Sequence, residues 1–180
     1  MSVAALVVTA TAPAARAGDT AAAASASTST AAAQKIRTDG LGEYGGVRPW
    51  MSVDEVRAVL GEPAKTATQQ DGRAVWRYPA VAVLFDRAGR GVSGLFILGA
   101  NAPRIAGVGI GSGEHEVLAA LGEPVIPMQR TSVGGATLRY GSEVSRLVFM
   151  LEQDRGVRMI GISWFKTAAE ATPDPGLAGR

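Results

Sequence analysis

The stretch Leu60-Gly61-Glu62-Pro63 occurs twice in the chain, because it returns as Leu121-Gly122-Glu123-Pro124. The match continues beyond these four residues: Trp76-Arg77-Tyr78 recurs as Leu138-Arg139-Tyr140 at a similar distance downstream. Two matches separated by a similar distance along the chain are typical of a supersecondary unit present in two copies. The sequence therefore predicts two related units in tandem.

A short helix is predicted immediately before each copy of the Leu-Gly-Glu-Pro stretch. Ser52 and Glu55 have the capping-box spacing, in which each side chain accepts from a free amide at the other position. Gly61 can end the helix, because glycine readily adopts positive φ. The same pattern predicts helices over Ser52–Leu60 and Gly113–Leu121, with a glycine in place of the capping serine in the second.

Turn signals and alternating apolar residues follow each predicted helix. Asp71-Gly72 is typical of a hairpin turn, and Gly134-Gly135 occupies the corresponding place in the second half. The predicted fold class is α+β with two tandem repeats. Each repeat is a short helix, or a helical pair, followed by a three- or four-stranded antiparallel meander. The two sheets are expected side by side, with the helices on one face.

The ends of the chain differ in composition from the centre. Val3 to Pro13 is an apolar run too short to span a bilayer, and Ala15-Arg16-Ala17 fits a small-x-small cleavage site. We therefore expect export to the periplasm or the extracellular space, without membrane insertion. The predicted divisions are a signal peptide (1–17), a disordered Ala/Ser/Thr-rich leader (18–39), the first repeat (40–99), the second repeat (104–166) and a disordered tail (167–180).

Composition excludes several classes of function. The chain has no cysteine, which removes disulfides, thiol catalysis and cysteine-based zinc sites. The formal net charge is only +2, and the basic residues are scattered along the chain rather than clustered. Nucleic-acid binding is therefore not predicted.

No catalytic, metal or cofactor site is predicted. His115 is the only histidine, and it falls on the first turn of a short helix, where a solvent-facing side chain is expected. The glycine-rich stretch 107–113 lacks the spacing of a dinucleotide fingerprint and the lysine of a phosphate loop. Glu62 and Glu123 correspond to each other, but each belongs to a turn that ends a helix. These features predict that the protein is not an enzyme.

The candidate site residues are arginines on the predicted strands. Arg77 and Arg139 each lie between core residues of a strand, so they should project onto the sheet face opposite the core. An antiparallel sheet with one face uncovered offers a surface for a partner. Arg146, on the neighbouring strand, completes the predicted protein-binding set.

The run Met51-Ser52-x-x-Glu55-Val56-x-x-x-Leu60-Gly61-x-Pro63, followed by Trp76-x-Tyr78 and Val83-x-Phe85, resembles outer-membrane assembly lipoproteins of the SmpA/OmlA (BamE) type. Two such units in tandem resemble the β-lactamase inhibitory protein (BLIP-like) fold. The resemblance implies helices packed on a continuous concave sheet and a partner-binding role. Trp50 departs from the pattern, which has glycine at this position.

The function predicted from these observations is an exported, non-catalytic protein-binding module of the cell envelope or extracellular space. Its partner would be another protein or an envelope component. One alternative is a secreted proteinaceous inhibitor of a hydrolase such as a β-lactamase. A second alternative is a small envelope enzyme that uses the open sheet face.

Overall fold

The computed structural model describes residues 33–37, 39–132 and 134–166. Each of two helices precedes a group of four strands in the chain. The elements are α1 (Val53–Leu60), β1 (Lys65–Thr68), β2 (Ala74–Arg77), β3 (Val81–Phe85), β4 (Val92–Ile97), α2 (Glu114–Leu121), β5 (Ile126–Arg130), β6 (Ala136–Gly141), β7 (Ser145–Glu152) and β8 (Gly156–Trp164).

The two predicted helices are confirmed, and so is the cap that begins the first. The Ser52 amide donates to Glu55 Oε2 at 2.7 Å, and the Glu55 amide donates to Ser52 Oγ at 3.3 Å. The second helix has only half of this arrangement, because Gly113 has no side chain: its amide donates to Glu116 Oε2 at 2.6 Å. Both helices end at the expected glycines, with φ of 77° and 75°.

The predicted fold class, two tandem helix-plus-meander repeats with side-by-side sheets and helices on one face, is wrong. The strands form one eight-stranded antiparallel sheet in the order β1-β2-β3-β4-β8-β7-β6-β5, and helix is a minor component of the described chain. β4 pairs directly with β8, for example at Leu95↔Ile162. If β4 and β8 were not paired, the backbone amides and carbonyls along these strands would lack hydrogen-bond partners. Their pairing therefore favours a single sheet.

One hydrophobic core serves the whole sheet. Its largest fully buried side chains come from both groups of strands and include Phe85, Phe149 and Tyr140. Val56 of α1 and Val117 of α2 are fully buried in the same cluster. Neither group of four strands would bury a comparable core alone, since small units remove too little apolar surface from water. The predicted repeats at 40–99 and 104–166 both contribute to this one core.

Part of the predicted leader is ordered. Residues 33–37 are helical, although 18–39 was expected to be disordered. Ala33 and Ile36 pack against the main core, and the Gly40 amide donates to the Ile36 carbonyl at 3.0 Å. Two apolar residues three positions apart are too short a pattern to predict a helix within a leader rich in Ala, Ser and Thr. The predicted signal peptide (1–17), most of the leader and the predicted tail (167–180) lie outside the described residues.

Trp50 adopts a left-handed backbone conformation that glycine favours. Its φ is 65°, and the glycine at the corresponding place before α2, Gly111, has a φ of 89°. The Trp50 amide donates to the Val92 carbonyl at 2.9 Å, which ties the entry of α1 to β4. Lys166 Nζ lies 4.7 Å from the centre of the indole ring. These contacts hold a conformation that costs a non-glycine residue on the order of 1–3 kcal/mol.

Two tyrosines tie the sheet to the ends of the helices. The Tyr140 hydroxyl donates to the Gly122 carbonyl at 3.0 Å, and the Tyr78 hydroxyl donates to the Gly61 carbonyl at 3.2 Å. Each bond satisfies a carbonyl left without an intrahelical partner at a helix end. Burial, reinforced by the charge of Glu123, raises the pKa of Tyr140 from 10.0 to about 12.

We expect Tyr140→Phe to remove a contribution to stability that is present near neutral pH and lost at alkaline pH. Because the folded-state pKa lies above the unfolded value, the unfolded chain loses this proton first, and stability falls as pH rises from about 10 to about 12. Urea unfolding across this range should show a smaller pH dependence for Tyr140→Phe than for the unsubstituted protein. Near neutral pH the variant should lose about 1 kcal/mol with the hydrogen bond. An identical pH dependence in both proteins would contradict the assignment.

The contact between β4 and β8 is too close for a side chain at Gly94. A Cβ placed there would lie 2.5 Å from the Ile162 carbonyl oxygen, which belongs to the backbone of the neighbouring strand and cannot rotate away. At Gly161, which is in β8, a Cβ would meet the ring of Phe96 at 3.6 Å, an ordinary contact. Two glycines in the same part of the sheet therefore have different steric surroundings.

We expect Gly94→Ala to lower the free energy of unfolding by about 1–3 kcal/mol, the usual cost of overpacking. Gly161→Ala is the matched control and should change stability by no more than about 0.5 kcal/mol. Chemical denaturation of both variants gives the comparison. Equal effects of the two substitutions would show that the strands approach each other less closely than the structure has them.

Candidate functional site

The sheet has two faces, and alternate residues along each strand point to opposite sides. In β2, Trp76 joins the main core, whereas Val75 and Arg77 lie on the other side. We call this second side the open face. A small cluster of Val75, Ala82 and Leu84 is buried there with Phe96 packed against it, and no described helical residue belongs to the cluster.

One row of cross-strand partners runs along the open face from β2 to β6. In register, its members are Arg77, Ala82, Phe96, Gly161, Val148 and Arg139. An arginine stands at each end, and the aromatic ring of Phe96 lies near the middle between two small residues. Five strand spacings separate the two arginines, or about 24 Å along the sheet. The row thus has an apolar centre and cationic ends.

A second group of apolar side chains lies next to this row. Leu98 and Met150 are 43% and 42% exposed and are among several large apolar side chains that the described residues leave at the surface. Met150 pairs with Met159 of β8, and all three line a shallow depression of about 510 Å³. Arg158 lies at the same depression. Methionines suit a surface that adapts its shape to a partner, because their side chains are unbranched and polarizable.

The three arginines predicted from the sequence lie on the open face. Arg77 is exposed, and Arg139 Nη2 donates to Gln129 Oε1 at 2.7 Å. Arg146 is half-buried, with its guanidinium carbon 5.4 Å from the centre of the Phe165 ring. The strand register pairs Arg139 with Val148 and Gly141 with Arg146, so Arg139 and Arg146 occupy adjacent rows. Their role in binding a protein stays a prediction.

Like charges lie close together at this end of the face. Burial lowers the pKa of Arg146, and the positive charge of Arg139 lowers it further. Both effects disfavour the charged guanidinium, which nevertheless stays protonated near neutral pH because its usual pKa is so high.

The strands carry far more positive than negative charge. Their only acidic residue is Glu152, at the end of β7, where it lies 3.8 Å from Arg155. Among the described ion pairs, none joins a carboxylate to Arg77 or Arg139. The basic strand residues are Lys65, Arg77, Arg130, Arg139, Arg146 and Arg158, and Arg130 forms an ion pair with Glu114 of α2 at 2.9 Å.

Sequence reasoning missed the apolar part of this surface. Phe96 was not singled out from the sequence as a surface residue. No alternation with polar residues marked it, because Leu95, Phe96, Ile97 and Leu98 are consecutive apolar residues, and only the burial of Leu95 and Ile97 in the structure places Phe96 on the opposite face. Met159 and Arg158 gave little signal either, because a register shift in β7–β8 interrupts the alternation there.

The other features considered in the sequence have ordinary surroundings. His115 is exposed on α2, as expected. Glu62 is exposed and lies 3.3 Å from Arg57, so it takes part in a local surface ion pair. Within the described residues, no group of three or more His, Cys, Asp or Glu side chains could hold a metal ion. The described helices are also too short or too polar to cross a bilayer.

Comparisons with known proteins give likeness of fold only. No protein-family model matches the chain, and no curated protein matches it. Among solved structures, YjgB, a DUF4309 family protein from Bacillus subtilis, has a TM-score of 0.51 and 13% identity, covering 77% of this chain and 97% of its own.

Two further structures match more weakly. An extracellular protein with an SCP domain from Bacillus anthracis has a TM-score of 0.44 and 13% identity, and 71% of this chain covers 46% of it. A cysteine-rich secretory protein from Staphylococcus aureus has a TM-score of 0.49 and 11% identity, and 74% of this chain covers 48% of it. These three structures include neither of the families that the sequence resembles.

We expect the double substitution Arg77→Ala/Arg139→Ala to leave folding intact. Arg77 is exposed, and Arg139 is half-buried with a surface hydrogen bond to Gln129, so the free energy of unfolding should change by no more than about 1 kcal/mol. Thermal melts of the variant and the unsubstituted protein provide the measurement. A large loss of stability would assign both side chains a structural role and remove them from the candidate site.

Proposed function

We propose that the chain is an exported, non-catalytic protein-binding module of the cell envelope or extracellular space, and that it docks its partner on the open face. The observation that carries the proposal is the row from Arg77 to Arg139, with Phe96 near its middle. These positions come from both groups of strands, so the surface exists only because the sheet is continuous.

The composition of the open face supports a protein partner. Aromatic residues, methionine and arginine are enriched in protein interfaces relative to other surfaces, and the open face presents all three. Binding energy usually concentrates in a few central residues that a ring of other contacts shields from water. Phe96 and the exposed Met150 are suited to that central role, and the arginines to the surrounding contacts.

The choice of compartment rests on the sequence alone. The apolar run from Val3 to Pro13 and the small-x-small site that follows it are typical of an export signal. Both lie outside the described residues. A hydrolase inhibitor would be one kind of binding module. However, β2 and β3 are joined by a tight turn, in which the Tyr78 amide donates to the Val81 carbonyl at 2.8 Å. A turn this short does not form a loop that could reach into an enzyme's cleft.

Paired substitutions test whether the open face binds. The full chain would capture partners from the envelope fraction and the culture medium of the producing cells, and calorimetry would give the affinity of the recovered complex. Arg77→Ala/Arg139→Ala should weaken binding by about 1–3 kcal/mol if either arginine anchors the interface. Phe96→Ala is a second probe of the same surface, and its thermal melt should be recorded alongside.

The matched control is Arg48→Ala/Arg104→Ala, which removes the same charge from exposed positions in the loops before the two helices. It should leave affinity unchanged. Equal weakening by both double substitutions would reduce the effect to net charge. Unchanged affinity with Arg77→Ala/Arg139→Ala and with Phe96→Ala would contradict docking on the open face.

A further inference from the structure

We infer that the partner presents an acidic surface to this protein, in which carboxylates flank an apolar side chain. The inference rests on the proposed function, because it describes what binds at the open face. It is drawn from the charge, the apolar centre and the spacing of that face.

Charge complementarity is the first argument. Lys65 pairs with Arg77 in register, so both lie at one end of the open face, while Arg139 and Arg146 lie toward the other. Arg158 lies between them along the sheet. Against these five cations, the strands offer the single carboxylate of Glu152, which has Arg155 beside it. A basic partner surface would meet repulsion across the whole face, whereas an acidic one would be attracted.

The neighbourhood of Arg139 and Arg146 adds a second argument. These two cations lie close enough for one to lower the pKa of the other, and Arg146 is partly removed from water. A carboxylate that reached both guanidinium groups would accept hydrogen bonds in the planar geometry that they favour. Two guanidinium groups in adjacent rows therefore offer a carboxylate more donors than an isolated surface arginine does.

The apolar centre supplies the third argument. Leu98, Met150 and Met159 line the depression of about 510 Å³, and Phe96 lies in the adjoining row. Removing apolar surface of this kind from water when a partner binds is favourable. A partner made only of carboxylates would leave this gain unused, so we expect an apolar side chain between the acidic ones.

The distance between Arg77 and Arg139 sets the length of the partner segment. Arg77 and Arg139 are five strand spacings apart, about 24 Å. An extended segment crossing the face would span this distance in about seven residues. Carboxylates separated by about that many residues, with an apolar residue near the midpoint, would reach both arginines and the centre together.

A peptide library tests the inference without knowledge of the natural partner. A phage-displayed library of random peptides, each about twelve residues long, is selected on the immobilised full chain at low salt. We expect the recovered peptides to be enriched in Asp and Glu on both sides of an apolar residue. Their affinity should fall at least tenfold with Arg77→Glu/Arg139→Glu, and it should fall as ionic strength rises.

Control variants separate net charge from position. Arg48→Glu/Arg104→Glu makes the same change in net charge in the loops before the helices and should leave peptide affinity within about twofold. A second selection on Arg77→Glu/Arg139→Glu should recover fewer acidic peptides. Thermal melts of both variants establish that each is folded before its affinity is interpreted.

The outcomes distinguish this inference from the proposed function. Peptides that lose affinity with Phe96→Ala or Met150→Ala but show no acidic enrichment would overturn the acidic partner and retain docking on the open face. Peptides unaffected by every open-face substitution would bind elsewhere and overturn both. A library that yields no open-face binder would likewise count against both.

Discussion

The antiparallel pairing of β4 with β8 is the interaction on which the rest of the structure depends. It joins two groups of four strands at their inner edges, with Leu95 opposite Ile162 and Ile97 opposite Ile160. All four of these side chains are buried in the main core. The approach is so close that a Cβ at Gly94 would collide with the backbone of β8. Hydrogen bonding and core burial therefore favour the same arrangement at the centre of the sheet.

The open face is a consequence of this junction. Phe96 comes from β4 and Gly161 from β8, and the ring of Phe96 lies beside the position that a Cβ on Gly161 would occupy. Without the pairing, Arg77 and Arg139 would belong to separate surfaces with no fixed distance between them. With it, they frame one apolar centre. A protein-binding role is proposed for that combined surface, and the two arginines alone would not justify it.

The sequence predicted local structure well, because the signals for local structure are local. The spacing of Ser52 and Glu55 predicted the start of α1, and the glycines after Leu60 and Leu121 predicted the ends of both helices. The hairpin turn at Asp71-Gly72 lies between β1 and β2, as its residues indicate. Each of these features depends on backbone preferences within a few residues, which a single sequence contains.

The arrangement of the sheet was not predicted, because it depends on contacts between residues far apart in the chain. Nothing in the composition of β4 or β8 states that their edges pair, so the predicted fold class had two sheets side by side, and a continuous sheet was only what the resemblance implied. The apolar half of the candidate site was missed for the same reason: Phe96 and Met150 become neighbours of the arginines only once the register is known. The arginines were found because they lie between core residues in their own strands.

The distance between Arg77 and Arg139 tests the central claim most directly. The chain has no cysteine, so Arg77→Cys/Arg139→Cys introduces the two thiols needed for spin labels and no others. Pulsed electron paramagnetic resonance on the labelled protein should give a single narrow distribution near the distance of about 24 Å that five strand spacings set, allowing for the reach of the labels. A broad distribution, or one centred at about twice that distance, would show that the two groups of strands move independently and that no continuous open face exists.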